Sequence, residues 1–146
     1  MSILKVLSEN NWRPRNPATE EEITRLKEAF QIDLPADYEE VLRTSNGCSL
    51  HGFKTPLIIW SIMEVLAHFR EHDLYENIPH SLIFGGDSGG IIYCYDLRSK
   101  NSQGSYDVFL VYEDDSQYDK SFFRTSSLTD MVDRIVKNEE ITREAN

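Results

Sequence analysis

The sequence predicts an α+β protein in which an antiparallel β-meander packs against helices from the N-terminal and C-terminal parts of the chain. Three observations predict it. Capped amphipathic helical patterns fill the region before Asn77, β-rich runs separated by short polar or glycine-containing turns follow Ser81, and a further capped helical pattern begins at Ser127. The 146 residues are expected to form a single domain, 1–146, with a polar tail at 139–146. With 40% hydrophobic and 27% charged residues, the balance is that of an ordinary globular chain and argues against disorder or low complexity.

Met1 to Trp12 has no basic n-region, no sustained apolar stretch and no small-residue cleavage site, so it does not read as a secretory signal. Arg13 to Pro17 carries two prolines, which remove backbone donors and restrict the preceding residues, and is expected to be a connection. Thr19 followed by Glu20, Glu21 and Glu22 supplies a capping box, and Ile23, Leu26 and Phe30 continue it as an amphipathic helix. Leu34-Pro35 opens the next helix, whose apolar stripe is Tyr38, Val41 and Leu42 and whose left-handed cap is expected at Asn46-Gly47.

Leu57 to Trp60 reads as a short strand, and Ser61 to Glu64 as a second capping box opening a helix with Ile62, Val65, Leu66 and Phe69 inward. Leu82–Phe84, Ile91–Leu97 and Tyr106–Tyr112 are strand runs whose connections are too short for parallel crossovers, so they form an antiparallel meander. A fourth strand is expected at Ser121–Arg124. Ser127 caps a last helix that turns Leu128, Met131, Val132 and Ile135 inward.

Charge is the most unusual bulk property: 25 acidic against 15 basic residues leave a formal net charge of −10. Such a field repels nucleic acid and anionic membranes and raises the encounter rate with a basic partner. No apolar run approaches the roughly 20 residues that cross a bilayer. Cys48 and Cys94 are too few for a disulfide framework and lack metal-ligand spacing, so buried free thiols in the cytoplasm are expected, with no cofactor.

Three motifs invite closer chemistry. Gly86-Asp87-Ser88-Gly89-Gly90 spells the string around the nucleophile of trypsin-like proteases, but that mechanism needs a histidine base, a carboxylate orienting it, and far more chain. Glycines flanking Asp87 and Ser88 are better suited to a sharp β-turn. His68, Glu71 and His72 fit the inverted zinc-protease pattern, yet with Ile62, Val65, Leu66 and Phe69 inward the set faces solvent, and no third ligand is evident. No catalytic residue and no metal ligand is therefore assigned. Glu113, Asp114 and Asp115, with Asp119 soon after and Tyr112 and Tyr118 flanking, lack calcium-loop spacing and read as a solvent-facing rim or a contact surface for a basic partner.

Several features in order resemble the SUKH superfamily, the group of yeast Smi/Knr-type cell-wall synthesis regulators and bacterial immunity proteins. They are Trp12; the acidic helix Glu20 to Phe30; Leu34-Pro35-Ala36-Asp37-Tyr38 leading to Asn46-Gly47; Gly85 to Gly90 ahead of Ile92-Tyr93-Cys94-Tyr95-Asp96-Leu97; and Ser121-Phe122 before the last helix. Ser88 stands where a further glycine is expected. The resemblance implies a non-enzymatic bacterial protein that neutralises a cognate toxin, often a nuclease, by direct binding as a monomer or homodimer. The partner is then a toxin domain with a basic surface, met through Asp87, Ser88, Tyr112, Glu113, Asp114, Asp115, Tyr118 and Asp119. The other readings are a regulatory scaffold like the cell-wall regulators and, remotely, a metal-dependent hydrolase.

Overall fold

Local capping chemistry starts the longer helices. In the computed structural model, which describes residues 2–139 and 141, the Glu22 N–H donates to Thr19 Oγ1 at 3.1 Å and the Thr19 N–H donates to Glu22 Oε1 at 2.9 Å, opening α2 (Glu20–Phe30). Ser61 and Glu64 repeat the arrangement at α4 (Ile62–Glu71). Before α2 stand α1 (Ile3–Glu9) and β1 (Arg13–Pro14), and α3 (Ala36–Thr44), β2 (Cys48–Leu50) and β3 (Leu57–Ile59) precede α4. The chain then runs through β4 (Ser81–Gly86), β5 (Ile91–Asp96), β6 (Val108–Tyr112) and β7 (Phe123–Thr125) into α5 (Leu128–Val136).

All seven strands form one antiparallel sheet in chain order, β1 to β7. The expected meander at its centre is therefore present, and the helices make the fold α+β. Side-chain alternation divides the sheet into two faces. Leu82, Phe84, Ile91, Tyr93, Tyr95, Val108 and Leu110 join the main core with the buried sides of the helices, while Ile83, Ile92, Cys94, Phe109 and Val111 face the other way and pack with Tyr75 and Ile78. Burial on both faces is why these strands read as continuous apolar runs.

One element has no counterpart in the sequence reading: Ile3, Val6 and Leu7 have helical spacing and are buried in α1, a helix of seven residues that no side chain caps. Several local expectations are corrected. Arg13–Pro14, expected as a connection, pairs with Ser49 and Cys48 as the edge strand, where a missing N–H needs no partner. The helix over Ala36–Thr44 ends at an extended Ser45, and Gly47 (φ +88°) belongs to the turn into β2 rather than to a helix cap. Asn46 instead ties elements together, its Oδ1 accepting from the Ile62 N–H at 2.9 Å. The last strand, expected at Ser121–Arg124, starts two residues later and ends one later, at Phe123–Thr125. Of the tail expected at 139–146, residues 140 and 142–146 lie outside those described, and Ile141 is buried in the main core at 4% exposure.

Cys48 and Cys94 are buried and unpaired, and burial pushes the Cys48 thiol up to about 12.

Candidate partner-binding site at the glycine turn

The turn between β4 and β5 is built by its own aspartate. Asp87 Oδ1 accepts the N–H groups of Gly89 at 2.7 Å and Ile91 at 3.0 Å, while the Asp87 N–H donates to the Ile91 carbonyl at 3.2 Å. Ser88 adopts φ +65° and Gly90 φ +100°, so an exposed serine takes one of the left-handed positions that the turn requires. The string Gly86 to Gly90 is thus the turn that joins β4 to β5, closed by the Asp87 carboxylate.

Neighbouring backbone fixes what stands beside this turn. A bulge interrupts the β4–β5 register between Ile83 and Gly85, and Gly85 lets β3 approach so closely that a Cβ there would overlap the carbonyl oxygen of Ile58. The Trp60 N–H donates to the Phe84 carbonyl at 2.8 Å, which anchors the end of β3. On the other side, the register Ile91↔Tyr112 delivers the chain after β6 to the same place, where the Glu113 N–H donates to the Gly90 carbonyl at 2.7 Å. Glu113–Asp115 then form one exposed 3-10 turn.

Between these segments lies a cavity of about 300 Å³ whose lining includes Ile58, Trp60, Ser88, Ile92 and Glu113. The Trp60 indole stacks on the His68 ring with centroids 4.3 Å apart and planes 22° from parallel. Among the described residues no ion pair engages Asp87, Glu113, Asp114 or Asp115, whereas Arg43, Arg98, Arg124, Arg134 and Lys137 are all paired with carboxylates elsewhere. Among the described residues, the carboxylates at the glycine-turn end of the sheet therefore have no ion-pair partner within the chain.

The structure brings Asp87, Ser88, Glu113, Asp114 and Asp115 together and separates the other three candidates from them. Tyr112 turns to the helical side of the sheet, its ring 4.9 Å from that of Phe122. Tyr118 belongs to the opposite end of β4, where its hydroxyl accepts from the His80 N–H at 2.8 Å and its ring lies 3.7 Å beneath the Arg98 guanidinium. Asp119 follows it in the 3-10 turn Tyr118–Lys120. Ile58 of β3 and Trp60 just beyond its end are absent from the expected set; the one local signal is a large aromatic after a strand, immediately before a helix cap.

The His68, Glu71, His72 pattern does not put its two histidines one helical turn apart on a single helix. Helix α4 ends at Glu71, and His72 leaves it with φ +66°. His68 is committed to Trp60. Among the described residues no three His, Cys, Asp or Glu side chains are grouped to hold a metal ion.

The far end of the sheet shows how carboxylates behave when this chain supplies the cations. Asp96 accepts Arg98 Nε at 3.0 Å, Arg98 Nη2 at 2.8 Å and Arg124 Nη1 at 3.0 Å. Burial alone would raise the Asp96 pKa, but these charge-assisted hydrogen bonds outweigh it and hold the carboxyl below the usual aspartate range.

Residues 17–134 match the SMI1 / KNR4 family (SUKH-1), which covers most of the chain, and the chain belongs to that family. No curated protein matches it. Among the described residues no helix is long and apolar enough to cross a membrane.

Proposed function

We propose that this member of the SMI1 / KNR4 family is an immunity-type protein that neutralises a cognate bacterial toxin in the cytoplasm by binding it directly, through one domain and without a catalytic centre. The observation that carries the reading is the meeting of Asp87–Gly90 with Glu113–Asp115 at one end of the sheet, beside an aromatic-walled cavity, where among the described residues no ion pair engages these acids. A toxin that acts on nucleic acid needs basic side chains where it grips phosphates, and carboxylates that form no ion pair among the described residues, presented at a sheet end, complement that surface. A net charge of −10 adds long-range steering toward such a partner. Aromatic surface beside charge supplies the desolvated centre that a specific contact needs.

An immunity protein is useful only beside its toxin, so the test partner is the polypeptide encoded next to this chain. Co-expression is expected to protect cells from that polypeptide, and the purified pair to elute as one complex. Absence of both protection and complex refutes the reading.

A further inference from the structure

We propose that the cavity beside Trp60 receives one arginine side chain of the partner, its guanidinium stacked on the indole and hydrogen-bonded to Glu113. The inference rests on the binding role proposed for the same site and names the chemistry it recognises.

The chain itself shows the rule. Three of its arginines lie over aromatic rings, Arg98 on Tyr118 at 3.7 Å, Arg124 on Phe109 at 5.1 Å and Arg134 on Phe123 at 5.7 Å. Each is also held by a carboxylate: Asp96 takes Arg98 and Arg124 at 2.8 and 3.0 Å, and Asp130 takes Arg134 at 2.8 Å. The pairing is physically sound, because a guanidinium is planar and weakly hydrated, stacks on a π-face and presents a fork of donors to a carboxylate.

The cavity at the glycine turn contains the same two components, an aromatic wall at Trp60, one face of which is already stacked on His68, and a carboxylate at Glu113. Here, among the described residues, no arginine or lysine of the chain pairs with Glu113 or lies over Trp60. Its volume of about 300 Å³ is at the small end of ligand sites, which fits one side chain better than an extended cofactor. Glu113 in the lining, with Asp87 and Asp114–Asp115 adjacent in the chain to lining residues, disfavours a phosphate or carboxylate occupant and favours a cation. Ile58 and Ile92 supply apolar wall for the methylene stem. Lysine would satisfy the charge but not the stacked plane or the fork, and its comparison with arginine is part of the test.

The experiment is a titration of the isotopically labelled protein with the blocked tripeptide acetyl-Gly-Arg-Gly-amide, read at the Trp60 indole N–H by NMR. The two tryptophans are distinguished with Trp12→Phe. A saturable shift is expected, at least tenfold weaker when arginine is replaced by uncharged citrulline and several-fold weaker with lysine. It should be lost in Glu113→Gln, whose dispersed spectrum reports an intact fold, and unchanged in Glu40→Gln on α3. Equal binding of the arginine and citrulline peptides, or binding undiminished in Glu113→Gln, overturns the proposal. So does equal binding of lysine. A partner neutralised by a protein that ignores the arginine peptide overturns this inference and leaves the proposed function standing; peptide binding without any toxin partner supports the pocket and removes the function.

Discussion

Asp37, in the first turn of α3, holds Thr129 in the first turn of α5 across 92 residues of sequence: one carboxylate oxygen accepts both the Thr129 N–H at 2.9 Å and its hydroxyl at 2.7 Å. The other oxygen accepts the Tyr38 N–H at 2.9 Å. Together with Ser127, whose hydroxyl accepts from the Asp130 N–H at 3.0 Å, Asp37 satisfies the start of the last helix from another element. Asp37→Ala is expected to cost about 1–2 kcal/mol. In urea the midpoint should fall with an unchanged slope, and a cycle with Thr129→Val should show that the two losses do not add.

Gly85 is required by space. A methyl group there would meet the Ile58 carbonyl, which the β3–β4 pairing holds rigidly, whereas a Cβ at Gly89 would come no closer than 3.4 Å to the movable Asp87 carboxylate. Gly85→Ala is expected to cost about 3 kcal/mol or more, and Gly89→Ala under about 1 kcal/mol. Thermal unfolding of the two variants compares them directly; equal stability would mean that β3 is not pinned to β4 at this point.

Two core tyrosines invert the usual cost of losing a hydroxyl. The hydroxyls of Tyr38 and Tyr95 are buried with no hydrogen-bond partner among the described residues, while Tyr93 donates to the Pro56 carbonyl at 2.5 Å. Tyr95→Phe should therefore be neutral or stabilising by about 1 kcal/mol, and Tyr93→Phe destabilising by about 1 kcal/mol. Chemical denaturation of both variants checks the opposed signs.

Asp96 links stability to pH. Its pKa in the folded chain is lower than the ordinary aspartate value of about 3.9 that it regains on unfolding, so its contribution is fully present above that value and is lost as pH falls through the folded pKa. Asp96→Asn is expected to cost about 2 kcal/mol at pH 7 and progressively less as pH falls below the ordinary aspartate value and through the lower folded one. Glu39, Glu64 and Asp130 are also held below their ordinary range, so the variant should flatten the acid limb of the stability profile without abolishing it.

Features decided within a few residues were legible in the sequence. The capping boxes at Thr19 and Ser61 and the apolar runs of β4, β5 and β6 depend on neighbours in the chain and were read correctly. Helix α1 was missed because its apolar signal spans only Ile3 to Leu7 and lacks a capping side chain. Strand β2 is three residues long, too short to establish a period, whereas β3, equally short, is legible from the apolar run Leu57 to Trp60 ahead of the Ser61 cap.

The candidate site was half legible for the same reason. Asp87 and Glu113 stood out as turn and acidic rim, but their adjacency follows from the register Ile91↔Tyr112, and the position of Trp60 from its bond to Phe84 across the bulge. Tyr118 was drawn into the set by chain proximity, which the crossing from Asp115 to the other end of the sheet dissolves.

The most direct test of the account is calorimetric titration of the polypeptide encoded beside this chain with the wild-type protein and with Glu113→Lys. Saturable one-to-one binding by the wild type, weakened at least tenfold in Glu113→Lys, about 1.4 kcal/mol or more of binding free energy, is predicted. Equal affinity for the two proteins would contradict a partner seated on the glycine turn and its acidic neighbour.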